Sequence, residues 1–338
     1  MTKKANFPTF APLSPSMIIS GGGNPSLADR YLSVPFSLLD ARTGWWRERK
    51  AAWLATGIQS ELGRSSQLLF AASAQPPATY AAKNAFEATI GRKATWAEFA
   101  QAHPEKVKQQ GTSVFDPVLC ELVYRWFSAP GHLVVDPFSG GSVRGIVAAA
   151  TGREYAGVDL RAEQIEANRA QWADLCQPGM PSPRWVQGDA LAVRQALPGT
   201  QADLLFSCPP YGSLERYSDD KADLSTMRYP RFLHTYRQII KESVAMLRQD
   251  RFACFVVGDI RDTQGLYRGF VSDTIAAFRD AGARLYNEAI LVTQSGSLPI
   301  RVGRGFDISR KLGKTHQQVL VFVKGDPKRA TAACGAVR

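Results

Sequence analysis

Residues 133–145 read "LVVDPFSGGSVRG". Three apolar residues lead to an acid, Asp136. A turn follows on Ser139, Gly140 and Gly141, and then a helical run. Glycine lets a backbone approach a ligand closely, as no residue with a Cβ can. The helix that starts beyond the turn directs its first N–H groups at whatever lies over it. A strand, a tight turn and a helix in this order open a doubly wound α/β sheet, whose ligands sit at the carboxyl ends of the strands.

The pattern continues downstream. "EYAGVDL" reads as a second strand ending at Asp159, "RWVQGDA" as a third reaching Asp189, and "ADLLFS" as a fourth. A long helix is predicted over Tyr229–Leu247, where Phe232, Tyr236, Ile239, Ile240, Val244 and Leu247 recur at helical spacing. "FACFVVGDI" is a fifth strand, and "VSDTIAAFRDAG" a helix closed by Gly282. Alternating strands and helices from 133 to 282 predict a parallel sheet covered on both faces. "ARLYNEAILVT" and "QQVLVFVKG" are joined by a Gly-rich loop, Ser295–His316, without a crossover helix, so they should pair antiparallel.

Upstream, "SVFDPVLCELVYRWF" predicts a helix beginning after Asp116, with Pro117 where a helix tolerates proline. The expected organisation is a flexible arm at 1–30, a mostly helical extension at 31–112, an α/β domain at 113–325 and a disordered basic tail at 326–338. Within the extension, Trp45 to Ile58 reads as a helix rich in Trp, Arg and Lys.

Composition narrows the class. The chain has 338 residues, 45% hydrophobic and 21% charged, which suits a globular protein with a full core. Lys plus Arg total 41 against 30 acids, a net charge of +11, and this favours a polyanionic partner, nucleic acid first. The 5 cysteines are odd in number and widely spaced, with no C-x-x-C. They argue against a disulfide framework and against a zinc site, and they suit a reducing cytoplasm. No apolar run approaches the ~20 residues of a membrane span.

A second stretch, "LLFSCPPYGSLERYSDD" (Leu204–Asp220), carries chemistry. Two prolines cannot continue a sheet, because each fixes φ and lacks an N–H. Strand four lies beside strand one in this topology, so Cys208-Pro209-Pro210-Tyr211 should end at the same edge as Gly140. The rigid corner aims the Pro209 carbonyl into the cleft, and Tyr211 offers a flat face. That pairing suits a planar base with an exocyclic amine. Asp159 is placed to accept the hydroxyls of a ribose, and Asp189 to meet an adenine edge. Read singly, the glycine turn serves a nicotinamide dinucleotide equally well, Asp136 serves as a helix-entrance cap, and the diproline serves as a strand end beside a core tyrosine.

Taken in order, "DPFSGGSVRG", "GVDL" and "SCPPYG" resemble the DNA amino-methyltransferases, which use S-adenosylmethionine to methylate cytosine N4 or adenine N6. The resemblance covers about 113–325. "PFSLLDARTGWWRERKAAWLATGI" is similar to phage and prophage methylases, with restriction-modification as the setting that implies. It implies the class I methyltransferase sheet, Rossmann-like, with seven strands in the order 3-2-1-4-5-7-6 and the last antiparallel. It implies a cofactor site of Phe115, Asp116 and Pro117 at the methionine end, then Asp136, Pro137, Phe138, Ser139, Gly140 and Gly141, then Asp159 and Leu160, then Asp189 and Ala190. The catalytic corner would be Cys208, Pro209, Pro210 and Tyr211, acting on a base flipped out of double-stranded DNA.

One residue departs from the pattern. The family places Asp, Asn or Ser before Pro-Pro, and here Cys208 stands there. Ser207 cannot replace it, since neighbouring strand side chains face opposite ways. A thiol is a weak acceptor, and it also opens the alternative of thiolate attack on pyrimidine C6. Arg301, Arg304, Arg310, Lys311 and Lys314 are the expected DNA contacts. Trp45, Trp46, Arg47, Arg49 and Lys50 are further candidates for phosphates, with Trp45 and Trp53 also reading as helix core. Glu215, Asp219 and Asp220 are candidate proton acceptors or solvated loop charges. Two alternatives are an RNA methyltransferase with the same cleft and an inactive nucleic-acid-binding relative.

Overall fold

The structure is a computed structural model that describes residues 26–59, 77–107, 115–212, 217–218, 220–293 and 298–337, apart from the side chains of 77, 97, 300, 301 and 304. In chain order the elements are α1 (Leu27–Tyr31), β1 (Leu38–Asp40), α2 (Gly44–Ala55), α3 (Pro77–Ile90), α4 (Trp96–Ala102), α5 (Pro117–Phe127), β2 (Leu133–Asp136), α6 (Val143–Ala150), β3 (Glu154–Asp159) and α7 (Ala162–Leu175). They continue with β4 (Arg184–Gln187), α8 (Val193–Ala196), β5 (Ala202–Ser207), α9 (Tyr229–Met246), β6 (Leu247–Val257), α10 (Phe270–Asp280), β7 (Arg284–Val292), α11 (Leu298–Ser309), β8 (His316–Lys324) and α12 (Pro327–Cys334). The chain divides into two compact units, one of Met1–Gly63, Phe115–Thr293 and His316–Arg338, the other of Arg64–Val114 and Gln294–Thr315.

The first unit holds one sheet of eight strands in the order β1-β7-β8-β6-β5-β2-β3-β4. β8 runs antiparallel to β6 and β7, and the other neighbouring pairs are parallel. Counted from β2, this is the 3-2-1-4-5-7-6 order of class I methyltransferases. The eighth strand, β1, adds to the seven expected. It pairs parallel with β7, Leu38 opposite Ile290. Three residues following Pro35 are too short to show an alternation in sequence.

Side chains alternate across the sheet. Leu205 joins a core with Phe232, Tyr236, Phe255, Phe278 and Phe322 beneath α9 and α10, where the rings of Phe278 and Phe322 stack at 3.9 Å. Its neighbour Phe206 faces the other way and meets Tyr124 of α5 edge-on at 5.4 Å.

Two segments differ from expectation. The Gly-rich span 295–316 contains α11, because Gly303 and Gly305 lower helix propensity without forbidding it. The basic tail is folded as α12. Asp326 caps it by accepting from the Arg329 N–H at 2.8 Å, and Pro327 takes the first position. Ala330 and Cys334 are buried, and Arg329 pairs with Asp250 at 2.7 Å.

The α2 residues also differ from a phosphate-contacting role. Trp46 and Trp53 are buried. Arg49 donates to both oxygens of the buried Glu121 at 2.7 and 2.5 Å, and Trp53 Nε1 and Arg125 Nε complete the cluster at 2.9 Å each. Lys50 pairs with Asp116 at 3.0 Å. Trp45 stays partly exposed. Arg49 and Lys50 of α2 therefore spend their charges docking on α5, while Arg47 stays exposed.

In the second unit, α4 begins with a capping box between Thr95 and Glu98. Phe99 is fully buried, with ring contacts to Phe86 and Trp96 at 5.7 and 5.9 Å. Glu87 accepts from Lys83, from Lys93 and from the Ala94 N–H, and bonding to Lys83 leads in holding its carboxyl down at about 2.

Burial pushes the Glu121 carboxyl up, but Arg49 outweighs it and the pKa lies below the ordinary 4.5. Stability from this group is therefore present above the ordinary carboxylate range and lost as pH falls through the depressed value. Replacing Glu121 with Ala strands two partly buried guanidinium groups. The expected loss is about 3–5 kcal/mol, read as a lower urea midpoint at unchanged slope.

Candidate active site

Asp136 ends β2 with no exposed surface. Its Oδ2 accepts from Arg144 Nε at 2.5 Å and from the Tyr155 hydroxyl at 2.7 Å. Its Oδ1 accepts from Ser207 Oγ at 2.5 Å and from the Phe138 N–H at 3.1 Å. The carboxylate is thus consumed by the protein, and Asp136 faces four internal donors rather than the open cleft. Burial opposes the charge on Arg144, but Asp136 outweighs it and holds the guanidinium above its ordinary range. Arg144 also donates to the carbonyls of Phe138 and Ser139 at 2.5 and 3.0 Å, and lies 4.5 Å over the Phe115 ring. Sequence reading missed Arg144. Its signal was a cation in the first turn of α6, eight residues after a strand-ending acid.

The glycine turn is clamped from β3 and α7. The Gly140 N–H donates to Asp159 Oδ2 at 3.0 Å, and its carbonyl accepts from Asn168 Nδ2 at 2.7 Å. Gln164 donates to Asn168, and Ser142 donates to Gln171 at 2.5 Å. These buried polar residues of α7 lie on one helical face, which no apolar periodicity announces. Gly140 has φ +48°, and among the described residues beyond its chain neighbours no atom lies within 4 Å of an added Cβ, so its open side is available for close approach. Ser139 is fully buried and its hydroxyl has no partner among the described residues. Leaving it so costs about 1–3 kcal/mol, a burden that tends to sit at functional turns.

The remaining expected residues line the same edge. Asp159 is half-buried and accepts from Arg161 N as well, at 2.9 Å. Burial raises its carboxyl pKa against those backbone donors. Leu160 follows it, half-buried. Asp189 follows β4 and caps a short turn from Ala190 through Leu191 N at 2.8 Å. Asp116 caps α5 through Val118 N at 2.9 Å, ahead of buried Pro117, and Phe115 meets Phe206 at 5.6 Å. Pro137 is buried and Gly141 half-buried.

β2 and β5 pair directly, Val134 opposite Leu204 and Val135 opposite Leu205. The diproline corner therefore leaves the sheet beside the glycine turn, and the Ser207–Asp136 bond ties the two together. Ser207 faces inward, as the alternation required. Tyr211 is half-buried. Its hydroxyl donates to the Val256 carbonyl at 3.3 Å, accepts from Gln317 Nε2 at 2.8 Å and lies 3.4 Å from Cys208 Sγ. Burial, then Cys208, raises the phenol pKa well above its ordinary value. Among the described residues no donor reaches the Pro209 carbonyl.

Arg310 and Lys311 are exposed and Lys314 half-buried, all in the second unit. Arg301 and Arg304 lie on α11 with side chains outside the described residues. Glu215 and Asp219 lie outside the described residues altogether.

No protein-family model matches the chain, and no match is found among curated proteins. Among solved structures the chain is similar to a methyltransferase from Pyrococcus furiosus at 13% identity, over 74% of this chain and 98% of that one, TM-score 0.41. It is also similar to a TehB-like SAM-dependent methyltransferase from Corynebacterium glutamicum at 16% identity, over 68% and 96%, TM-score 0.38. A candidate DNA modification methylase from Thermus thermophilus matches at 19% identity, over 41% and 51%, TM-score 0.31. Among the described residues no helix is long and apolar enough to cross a membrane.

Gly157 of β3 backs the glycine turn. A Cβ there would fall 2.6 Å from Ser139 Cβ and 2.8 Å from the Tyr155 ring. Gly157→Ala should cost about 1–3 kcal/mol by overpacking, measured by thermal or urea unfolding, and should perturb Tyr155 fluorescence.

Proposed function

We propose that the chain is an S-adenosylmethionine-dependent methyltransferase acting on the exocyclic amine of a base, cytosine N4 or adenine N6, extruded from double-stranded DNA. One observation carries this reading. The glycine turn and the Cys208-Pro209-Pro210-Tyr211 corner share one edge of the sheet, joined through Asp136, with the Tyr211 ring half-buried and its hydroxyl tethered.

The residues fit the cofactor. Gly140 leaves open space at the turn, and Asp159 keeps oxygen lone pairs beyond those its two backbone donors occupy. Asp159 would bind the ribose hydroxyls, Asp189 and Ala190 the adenine, and Phe115 and Asp116 the methionine end. When bound, the cofactor supplies a methyl group already activated by its sulfonium, so the protein's contribution is positioning for in-line displacement.

The acceptor residues have separate tasks. Tyr211 stacks on the extruded base, and the Pro209 carbonyl accepts one amine N–H. The amine lone pair is thereby aimed at the methyl. After transfer the cationic amine gives its proton to water or to a loop acid such as Asp220. Cys208 lies against the Tyr211 hydroxyl and supports the ring, a role that requires no thiolate. The net charge of +11 suits a polyanionic substrate.

The test incubates the protein with unmethylated DNA, RNA and methyl-labelled cofactor, then resolves nucleosides by mass spectrometry. N4-methylcytosine or N6-methyladenine in DNA is the expected product. Label confined to RNA, C5-methylcytosine, or no incorporation overturns the reading. Tyr211→Ala should lower methyl transfer about ten- to a hundredfold, the equivalent of the 1–3 kcal/mol of a base stack, while cofactor affinity by calorimetry stays near wild type. Tyr211→Phe keeps the ring and should lose less.

The raised pKa of Asp159 gives a pH signature. Its carboxylate is the form that accepts two hydroxyls. Cofactor affinity should therefore decline on acidification above the ordinary Asp range near 3.9. Asp159→Asn should bind more weakly and flatten that limb.

A further inference from the structure

Between β6 and α10 the chain makes a short loop, residues 260–269, to which no part of the preceding chemistry is assigned. Its base is pinned by one side chain. Asp259 Oδ1 accepts from the N–H groups of Ile260, Gly269 and Phe270 at 2.9, 3.0 and 3.0 Å. Its legs are paired, with Arg268 N donating to Ile260 O at 2.9 Å and a bridge between Arg261 and Tyr267. Its tip is closed by Asp262, whose Oδ1 accepts from Gln264 N and Leu266 N at 2.9 Å each. Both acids are thus turned inward onto backbone donors.

What the loop presents outward is different. Leu266 is 62% exposed and Tyr267 50% exposed. Arg261 stacks 3.9 Å over the Tyr267 ring, and Arg268 lies 4.6 Å over Tyr229. Large apolar side chains on a rigidly bonded tip, rimmed by two exposed cations, are not the usual composition of a solvated turn. The loop also touches the acceptor corner. A Cβ on Gly212 would fall 2.8 Å from Ile260 Cδ1, and the Tyr211 ring lies 6.2 Å from that of Phe270. Ile260 at the foot of the loop therefore lies against the residue that follows Tyr211, and Phe270, just past the loop, faces the Tyr211 ring.

We propose that residues 260–269 form a duplex-DNA wedge, in which Leu266 and Tyr267 enter the base stack beside the acceptor corner while Arg261 and Arg268 meet the flanking phosphates. This rests on the reading of the site as a base methyltransferase. Extruding a base leaves an apolar gap in the duplex and costs a few kcal/mol. An apolar wedge that fills such a gap offsets part of that cost, as minor-groove proteins do when they part base steps. The internal hydrogen bonds let the tip enter without ordering a flexible segment at the moment of binding. Complementarity to phosphate selects a nucleic acid over an apolar protein groove.

The test uses the full chain and a fluorescein-labelled DNA duplex, with anisotropy as the readout and no turnover required. Leu266→Ala combined with Tyr267→Ala should weaken duplex binding about tenfold, with less effect on the corresponding single strand and no change in melting temperature or cofactor affinity. Arg261→Gln combined with Arg268→Gln should make the slope of log affinity against log salt shallower by about 2, one per lost phosphate contact. Duplex affinity and salt slope equal to wild type in both variants overturn the proposal, as does failure of the wild type to bind duplex. Methyl incorporation is scored separately. Wild type that binds duplex through the loop yet transfers no methyl group would leave the wedge standing and remove the methyltransferase reading.

Discussion

The buried pairing of Asp136 with Arg144 is the constraint on which the rest of the first unit depends. Taking both charges out of water is expensive, and their attraction offsets the cost only when the remaining lone pairs and protons are satisfied. Here they are, because Tyr155 of β3, Ser207 of β5 and the Phe138 backbone all converge on one carboxylate. The consequence is geometric. Three strands and the first turn of α6 are referred to a single point, so the glycine turn cannot move relative to the diproline corner without breaking a charged hydrogen bond. An apolar residue at 136 would remove the desolvation cost and also this common reference.

A second polar layer holds the turn from outside. Gln164, Asn168 and Gln171 bury one face of α7 in amides rather than in aliphatic side chains. Amides cost more to desolvate than leucines, but they bond in fixed directions, and Asn168 uses that to hold the Gly140 carbonyl. With its N–H taken by Asp159, Gly140 has both backbone groups fixed, and its remaining open side is where a Cβ would have been. The same logic recurs at Glu121, where an internal charge gathers α2 onto α5.

The strands themselves and the positions of Asp136, Asp159 and Asp189 were legible because they follow from local signals: short apolar runs, glycine turns and acids at strand ends; the strand order was implied only by the resemblance to methyltransferases. The shared edge followed from topology, since parallel neighbours must end on the same side. What sequence did not disclose depends on partners far along the chain. β1 exists only through β7, and Arg49 is silent about phosphate or Glu121 until α5 is in place. Asp136 read as a ligand-facing acid, and only the convergence of Arg144, Tyr155 and Ser207 shows where its oxygens point. α12 was the exception, because Asp326-Pro327 is a local cap signal that the basic residues after it obscured. The 260–269 loop has no signal of its own in the sequence, since the bonding of Asp259 and Asp262 appears only in three dimensions.

The acceptor corner itself argues for positioning over acid–base work. Burial and the neighbouring Cys208 keep the Tyr211 phenol protonated far above neutral pH, so it cannot serve as a base. Its proton goes to the Val256 carbonyl and its lone pair meets Gln317, while its half-buried ring packs against the core beside Phe270. The prolines have no N–H to donate and only carbonyls to accept with. A corner made of a neutral ring and rigid carbonyls can orient a weak nucleophile but not deprotonate it. In the proposed methyltransferase that is sufficient, because a sulfonium methyl is activated before it arrives and needs only an oriented acceptor.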